Sequence, residues 1–462
     1  MTLNKRKINQ FFYTFITIHL LIWTLVPSLT NDNLPLDTIE ALAWGSDLEW
    51  GYSKHPPMSA FFVNVFYQIF GNNDYVYYLL SQIFVVSSFF IIFKFFNKIF
   101  KNQILSLLSV LLLEGISFYN FTTPEFNVNV CQLPFWSLCV YYSWKVLNEK
   151  KLTFKNCLLL GIFASIGFLS KYLFMYLLIS IDLLFFYLIF VKKSKKFDFK
   201  YLLSLEVFLV LLIPHLIWLY NNDYITITYA FARTGVEASD FLSHLTNPLI
   251  FLAKQTVILI PVFLMTYFLI KKFSFKISLK DKKLLFLIFI NVVPFVLILL
   301  TSIITGSKIR TMWMTPFYLF LGTFFFYIFK KNIEIKKLKK FIIIFTIFFI
   351  ISPVIYLGVS VLDETKRTDY PGKEIARLVQ NKWDDNFVND IKIVVGDEWF
   401  AGNLSYHLSS RPIWINDLKD QATSIRDNQG VIYVGNPKIL KKICPGIFGT
   451  IKPVGYCMIG KK

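Results

Sequence analysis

Two carboxylates and a short cationic stretch stand close together near the N-terminus. Asp37 and Glu40 lie in Leu34-Pro-Leu-Asp37-Thr-Ile-Glu40-Ala-Leu-Ala-Trp44-Gly45, which is soon followed by Gly51-Tyr52-Ser-Lys54-His55-Pro56-Pro57. After Pro35 the spacing predicts a helix in which Leu36, Ile39, Leu42 and Ala43 share an apolar face. Asp37 and Glu40, three residues apart, then project from one side of it. A carboxylate can take a proton from a hydroxyl, and a lysine with a neighbouring histidine can hold an anion. Together these groups suit a reaction in which an anionic substrate is gripped while a hydroxyl is deprotonated. Asp37, Glu40 and His55 also match, by ligand type, a divalent metal ion. The plainer alternatives are a solvated helix face for the acidic pair and a structural interfacial histidine for His55.

A second acidic position is Glu125, in Thr122-Thr-Pro-Glu125-Phe-Asn127. It falls between two apolar runs, where an acid is costly to leave near lipid and marks a functional site by default. Thr-Pro-Glu is equally good chemistry for starting a helix. The cations Lys171, with Tyr172 beside it, Arg233, Lys308 and Arg310 stand at the ends of other apolar runs and are candidates to meet a phosphate. Contact with lipid headgroups is the alternative for each of them.

The elements that must carry these residues are set by the apolar runs themselves. The chain has 462 residues, is 55% hydrophobic and contains 51 Phe. A membrane-crossing helix needs about 20 apolar residues. Runs of this order are expected at 11–29, 75–97, 104–121, 128–146, 156–169, 171–191, 201–220, 249–270, 284–303, 311–329 and 341–361, giving eleven spans. The net charge of +19 does not point to nucleic acid, because the cations sit in short segments between spans, such as Lys192-Lys193-Ser-Lys195-Lys196. That pattern is topogenic: lysine and arginine hold loops inside. Starting from Lys5-Arg6-Lys7 inside, with an uncleaved first span, every Lys-rich loop falls on the inner face and the C-terminus on the outer face. The carboxylates at 37, 40 and 125 and the scarce cations then all lie outside.

Two outer segments, 30–75 and 220–248, are too long to be turns. Residues 1–361 therefore read as one membrane domain, and 362–462 as a small α/β domain on the outer face. In the latter, strands are expected at Ile391–Val395 and Val431–Val434 and a helix over Pro371–Trp383. Cys444 and Cys457 lie in it and can pair in an oxidising compartment. Cys131, Cys139 and Cys157 fall in or beside spans, as small apolar residues.

In order along the chain, Asp37-Thr-Ile-Glu40, Trp44-Gly45, Gly51-Tyr52-Ser-Lys54-His55-Pro56-Pro57, Thr123-Pro124-Glu125, Leu169-Ser170-Lys171-Tyr172 and Pro214-His215-Leu-Ile-Trp218 resemble the family-39-type bacterial glycosyltransferases. These belong to the GT-C superfamily, with the protein O-mannosyltransferases and the lipid A aminoarabinose transferases. The resemblance runs to about Pro316. It implies a polytopic α-helical membrane fold and an inverting sugar transfer from a polyprenyl-phosphate donor, often undecaprenyl phosphate. The acceptor would be a cell-envelope lipid, glycan or protein, and the site would face the periplasm from the bacterial inner membrane. It assigns the base to Asp37, with Glu40 as rival because relatives often carry adjacent acids, and places His55 near the donor phosphate. Glu125 stands where relatives carry Asp. A transporter or flippase for lipid-linked glycans, or an O-antigen ligase or polymerase, would use similar lipids. A transporter, however, is expected to show paired halves and mid-membrane polar groups, whereas here the polar candidates collect at the outer ends.

Overall fold

In hydrocarbon every backbone N–H and C=O must find its partner inside its own segment, so apolar runs of this length become helices. The computed structural model describes residues 4–149, 152–236, 239–274, 277–363, 365–416 and 430–462. Its helices are α1 Lys5–Thr30, α2 Leu36–Trp44, α3 Met58–Phe70, α4 Asp74–Phe100, α5 Gln103–Leu111, α6 Val128–Cys131, α7 Leu133–Asn148, α8 Phe154–Ser170 and α9 Met175–Phe186. They continue with α10 Lys200–Asn221, α11 Ile225–Thr234, α12 Ser243–Tyr267, α13 Lys282–Thr305, α14 Leu321–Ile328 and α15 Leu338–Leu362. Caps explain several starts. Asn102 accepts from the N–H groups of Ile104 and Leu105, and Asp281 from those of Lys283 and Leu284. Gly306, at φ 66°, ends α13 in the left-handed conformation that glycine adopts without strain.

Each of the eleven expected spans contains helix, but they are unequal. Among the described residues seven stretches are long and apolar enough to cross a membrane: Lys5–Thr30, Asp74–Phe100, Tyr172–Val191, Lys200–Asn221, Ser243–Tyr267, Lys282–Thr305 and Ile335–Leu362. The pair Thr311–Tyr318 and Leu321–Ile328, bent by 55°, makes an eighth if counted as one span. The segment expected at 104–121 stops as a helix at Gly115, and the one at 128–146 is broken between α6 and α7. Helix α3, 13 residues long and apolar, lies within what the sequence reading treats as outer loop.

The end of the helical stretch at Gly115 has a visible cause. Glu114 is buried and its Oε1 lies 2.6 Å from Nδ1 of the equally buried His19 on α1. Asn120 Nδ2 donates to the Glu114 backbone carbonyl at 2.9 Å and to its Oε2 at 3.3 Å. The pair ties α1 to the turn that follows α5, among packed aromatic rings: Phe89 lies 5.3 Å from His19, centroid to centroid.

Beyond α15 the chain forms the outer domain, with α16 Gly372–Asp384, α17 Phe400–His407 and α18 Pro437–Ile443. Its strands are β1 Ile393–Val395, β2 Ile413–Ile415, β3 Val431–Gly435, β4 Ile447–Ile451 and β5 Val454–Ile459, in the order β2-β1-β3-β5-β4. The first three are parallel, while β5 pairs antiparallel with both β3 and β4. Strands β1 and β3 and helix α16 fall where the sequence places them. The hairpin β4–β5 and the short β2 carry weaker patterns and escape a sequence reading. A disulfide joins Cys444 to Cys457, holding the end of α18 to β5. The other three cysteines are buried free thiols.

The outer domain does not stand apart from the membrane part. One apolar cluster contains Trp383, Ile432 and Tyr456 of the outer domain together with Ala43, Trp44, Tyr52 and Ala60 of the first loop. A Cβ at Gly402 on α17 would meet the Ala43 Cβ at 3.1 Å, so a side chain there would push α17 and α2 apart by a few tenths of an ångström.

Replacing His19 with leucine leaves the Glu114 carboxyl buried without its partner. We expect a loss of about 3 kcal/mol, with most of it recovered in the double variant His19→Leu/Glu114→Leu. Denaturant titration in micelles measures both.

Candidate active site

Helix α2 is short and nearly enclosed: every residue from Thr38 to Trp44 is buried. Pro35 starts it, as a residue with fixed φ and no N–H to lose. The Asp37 N–H donates to Oε1 of Glu125 at 3.0 Å, and Thr38 Oγ1 donates to the Phe126 carbonyl at 3.2 Å, so the 122–127 corner caps the helix start from the side. The stretch after α2 is latched onto α10 and α11. His215 Nδ1 lies 2.6 Å from the Trp50 carbonyl, and Thr226 Oγ1 donates to the Tyr52 carbonyl at 2.7 Å. Trp218 Nε1 donates to Glu49 at 2.5 Å, with its ring so close over Gly51 that a side chain there would collide.

These supports set Asp37, Glu40, Lys54 and His55 on the wall of one cavity of about 590 Å³. Lys171, Tyr172, Arg233 and Arg310 line the same cavity, contributed by the α8–α9 junction, α11 and the segment after α13. Met175, Tyr176, Ile179 and Met312 give it an apolar side that continues along the membrane helices. Nine of the eleven residues singled out in the sequence thus meet at one place, counting Glu125, whose carboxyl touches the backbone of Asp37. The other two do not. Lys308 is exposed, with its backbone N–H bonded to the Thr234 carbonyl at 2.9 Å. Tyr52 is buried outside the cavity; its ring stacks on Trp44 at 5.2 Å and its hydroxyl donates to the Asp47 carbonyl, so it shapes the loop.

Lys54 Nζ lies 2.5 Å from Glu40 Oε2 and 3.1 Å from Glu398 Oε1. Glu398 precedes α17 in the outer domain and was not foreseen, because nothing in its local sequence signals a partner more than 340 residues away. Asn129, which accepts from Lys171 Nζ, and Trp313, whose ring lies 5.2 Å under that ammonium, were missed as well. Tyr229 also lines the cavity, with its ring 6.3 Å from that of His55.

The electrostatics follow from burial. Desolvation raises the Glu40 carboxyl to about 7 in spite of Lys54 beside it. Burial alone would lower Lys54, but its two carboxylate partners outweigh that and hold it above the ordinary lysine range. His55 is pushed down to about 3, first by burial and then by Lys171, Lys54 and Arg233, so it faces the cavity as a neutral imidazole. It offers a hydrogen bond rather than a charge. Asp37 and Glu125 are both raised by burial. Four cations, Lys171, Lys54, Arg233 and Arg367, pull Asp37 back down, whereas the Asp37 charge itself pushes Glu125 further up. The cations thus favour the charged form of Asp37, while burial and the neighbouring Asp37 favour the protonated form of Glu125. Among the described residues no three acidic, histidine or cysteine side chains converge as a metal-binding set.

Lys54→Met removes the cation paired with Glu40 among the described residues. We expect a loss of stability of about 3 kcal/mol that grows as pH rises past 7, because the raised Glu40 carboxyl ionises only there in the folded state. Thermal unfolding at pH 6 and pH 8.5 tests both the size and the sign.

Residues 54–218 match the family described as dolichyl-phosphate-mannose-protein mannosyltransferase. A 124-residue stretch is 32% identical to the undecaprenyl phosphate-alpha-4-amino-4-deoxy-L-arabinose arabinosyl transferase of Wigglesworthia glossinidia brevipalpis, covering 25% of this chain and 21% of that relative's length. The crystal structure of ArnT from Cupriavidus metallidurans in the apo state superposes over 97% of this chain and 98% of its own, with a TM-score of 0.62 and 11% identity. The chain is a polytopic membrane protein with the fold of that ArnT structure, and it is similar in part of its length to the protein mannosyltransferase family and to an aminoarabinosyl transferase.

Proposed function

We propose that this protein is an inverting glycosyltransferase that moves a sugar from a polyprenyl-phosphate carrier, undecaprenyl phosphate in a bacterium, to a hydroxyl of a cell-envelope lipid, glycan or protein. The observation that supports it most is the single cavity in which the carboxylate of Asp37 shares a wall with Lys54, Lys171, Arg233 and Arg310, with an apolar side running along the membrane helices.

The reaction needs two things at once. The acceptor oxygen attacks the anomeric carbon while the bond from that carbon to the phosphate oxygen breaks. The electron pair leaves with the phosphate, which needs cations rather than a proton. The acceptor proton passes to Asp37, whose raised affinity for a proton makes it a stronger base than a surface carboxylate. Lys171, Arg233 and Arg310 meet the phosphate, while Lys54 is held between Glu40 and Glu398 and positions that wall. The apolar side takes the first units of the prenyl chain. Cavity walls assembled from the loops at 30–75 and 220–248 keep bulk water from the activated sugar. In this reading the site opens on the periplasmic face of the inner membrane, the N-terminus is cytoplasmic and the outer domain periplasmic. Asp37 and Glu40 would be the residues to offer a divalent ion if the reaction uses one, with the neutral His55 nearby.

Asp37→Asn in the full-length protein, reconstituted with an undecaprenyl-phosphate sugar and envelope glycolipid extract, is expected to insert normally and lose transfer by about 10²–10⁴-fold. Wild-type-like transfer would remove the role given to Asp37. Glu125→Gln, which keeps the shape and an oxygen to accept from the Asp37 N–H, is expected to keep transfer within about tenfold. Because the Asp37 carboxyl is raised, the rate should fall on acidification at a pH above the ordinary carboxylate range. A rate profile from pH 4 to 8 reads this directly.

A further inference from the structure

An open groove lies at the other end of the bundle from the proposed sugar-transfer site. It has a volume of about 730 Å³ and is lined by Lys5 at the start of α1, Asn97, Lys94 and Lys98 near the end of α4, Lys101 just after it, and Ile104 at the start of α5. Helix α1 has 26 residues, which separates this groove from the catalytic loop by about 39 Å along the axis. The two sites therefore sit on opposite faces of the membrane.

Lysines at helix ends are expected on the inner face from topology alone. Three observations go beyond that. First, the four lysines line one concavity rather than spreading over a loop, with the ammonium groups of Lys94 and Lys98 resting over the rings of Phe90 and Tyr141 at 5.2 and 5.7 Å. Second, no carboxylate lines the groove, and none of the four lysines is ion-paired among the described residues. Other Lys-rich turns on the same face do carry partners, Lys330 with Asp281 at 3.9 Å and Lys337 with Glu334 at 3.1 Å. Third, Lys101 ends α4 at φ 53°, a left-handed position where glycine is the usual residue. A lysine occupies that position in spite of the backbone cost.

We propose that this groove binds the phosphate headgroup of an anionic phospholipid in the leaflet opposite the transfer site. Lysine is suited to phosphate as a flexible point charge, and basic pockets between membrane helices on the cytoplasmic side take such headgroups. The apolar edge at Ile104 faces the part of the ligand that a free phosphate lacks, its glycerol and acyl chains. This favours a lipid over a soluble phosphate.

The test is native mass spectrometry of the full-length protein, delipidated in detergent and then offered phosphatidylglycerol, cardiolipin or phosphatidylethanolamine. An anionic lipid should be retained at one per chain and the zwitterionic one should not. The triple variant Lys94→Gln/Lys98→Gln/Lys101→Gln should bind it on the order of a hundredfold more weakly. The triple variant to arginine keeps the charge and the topology signal and should retain binding, which separates loss of the site from misinsertion. Lys336→Gln/Lys339→Gln/Lys340→Gln removes as much charge elsewhere on that face and should leave binding intact. Equal retention of the zwitterionic lipid, or equal loss in the control variant, overturns the proposal. So does full competition by millimolar inorganic phosphate, which would make the groove a soluble-phosphate site. None of these outcomes depends on sugar transfer.

Discussion

The arrangement of this molecule depends on the burial of a nine-residue helix, α2, between the outer ends of the membrane helices and the core of the outer domain. A helix this short has little stability of its own. Here Thr38 to Trp44 are all buried, and Ala43 and Trp44 belong to the same apolar cluster as Trp383 and Ile432. Burial holds the helix, and burial also removes water from the carboxylates it carries. The one constraint therefore supplies both position and chemistry. Asp37 and Glu40 are raised because they have left water, and they tolerate this because Lys54, Lys171 and Arg233 lie on the same cavity.

This makes the outer domain part of the site rather than an appendage. Asn33 Nδ2 donates to Asn403 Oδ1 at 2.7 Å, the Trp414 N–H donates to Ser46 Oγ at 2.7 Å, and Arg411 reaches the Leu42 carbonyl. Asp74, at the start of α4, takes Tyr406 at 2.8 Å and Lys373 at 2.8 Å. Glu398 completes the pair of acids around Lys54. With such contacts the loop geometry responds to changes in the outer domain, and a movement of α17 would be felt at Asp37 through α2.

The charges divide into those that meet substrate and those that meet each other. Lys54 is bound on two sides, and Lys171 rests on Asn129 and over Trp313. Arg233 and Arg310 have no ion pair among the described residues, so they are the cations with most freedom to receive a phosphate. In the membrane interior the buried His19 Nδ1 meets Glu114 Oε1 at 2.6 Å, which suits a structural tie between α1 and the turn after α5.

Much of this was legible in the chain. Apolar length marks the spans because lipid leaves the backbone no other partner, and Asp37, Glu40, Lys54, His55 and Lys171 stand out because charge is costly beside such runs. Glu114 carried the same signal within an apolar run and was open to the same reading. What sequence could not supply were pairings across long separations. Glu398 with Lys54, Asn129 with Lys171 and His19 with Glu114 have no local signature, since a hydrogen bond between distant residues leaves no trace in the spacing of either. Nor does spacing tell which of several outer cations turns inward: Arg310 reaches the cavity and Lys308, two residues earlier, does not. The sequence determined which groups could act and on which side of the membrane they are expected; only packing decided which of them lose water together, and that loss sets their chemistry.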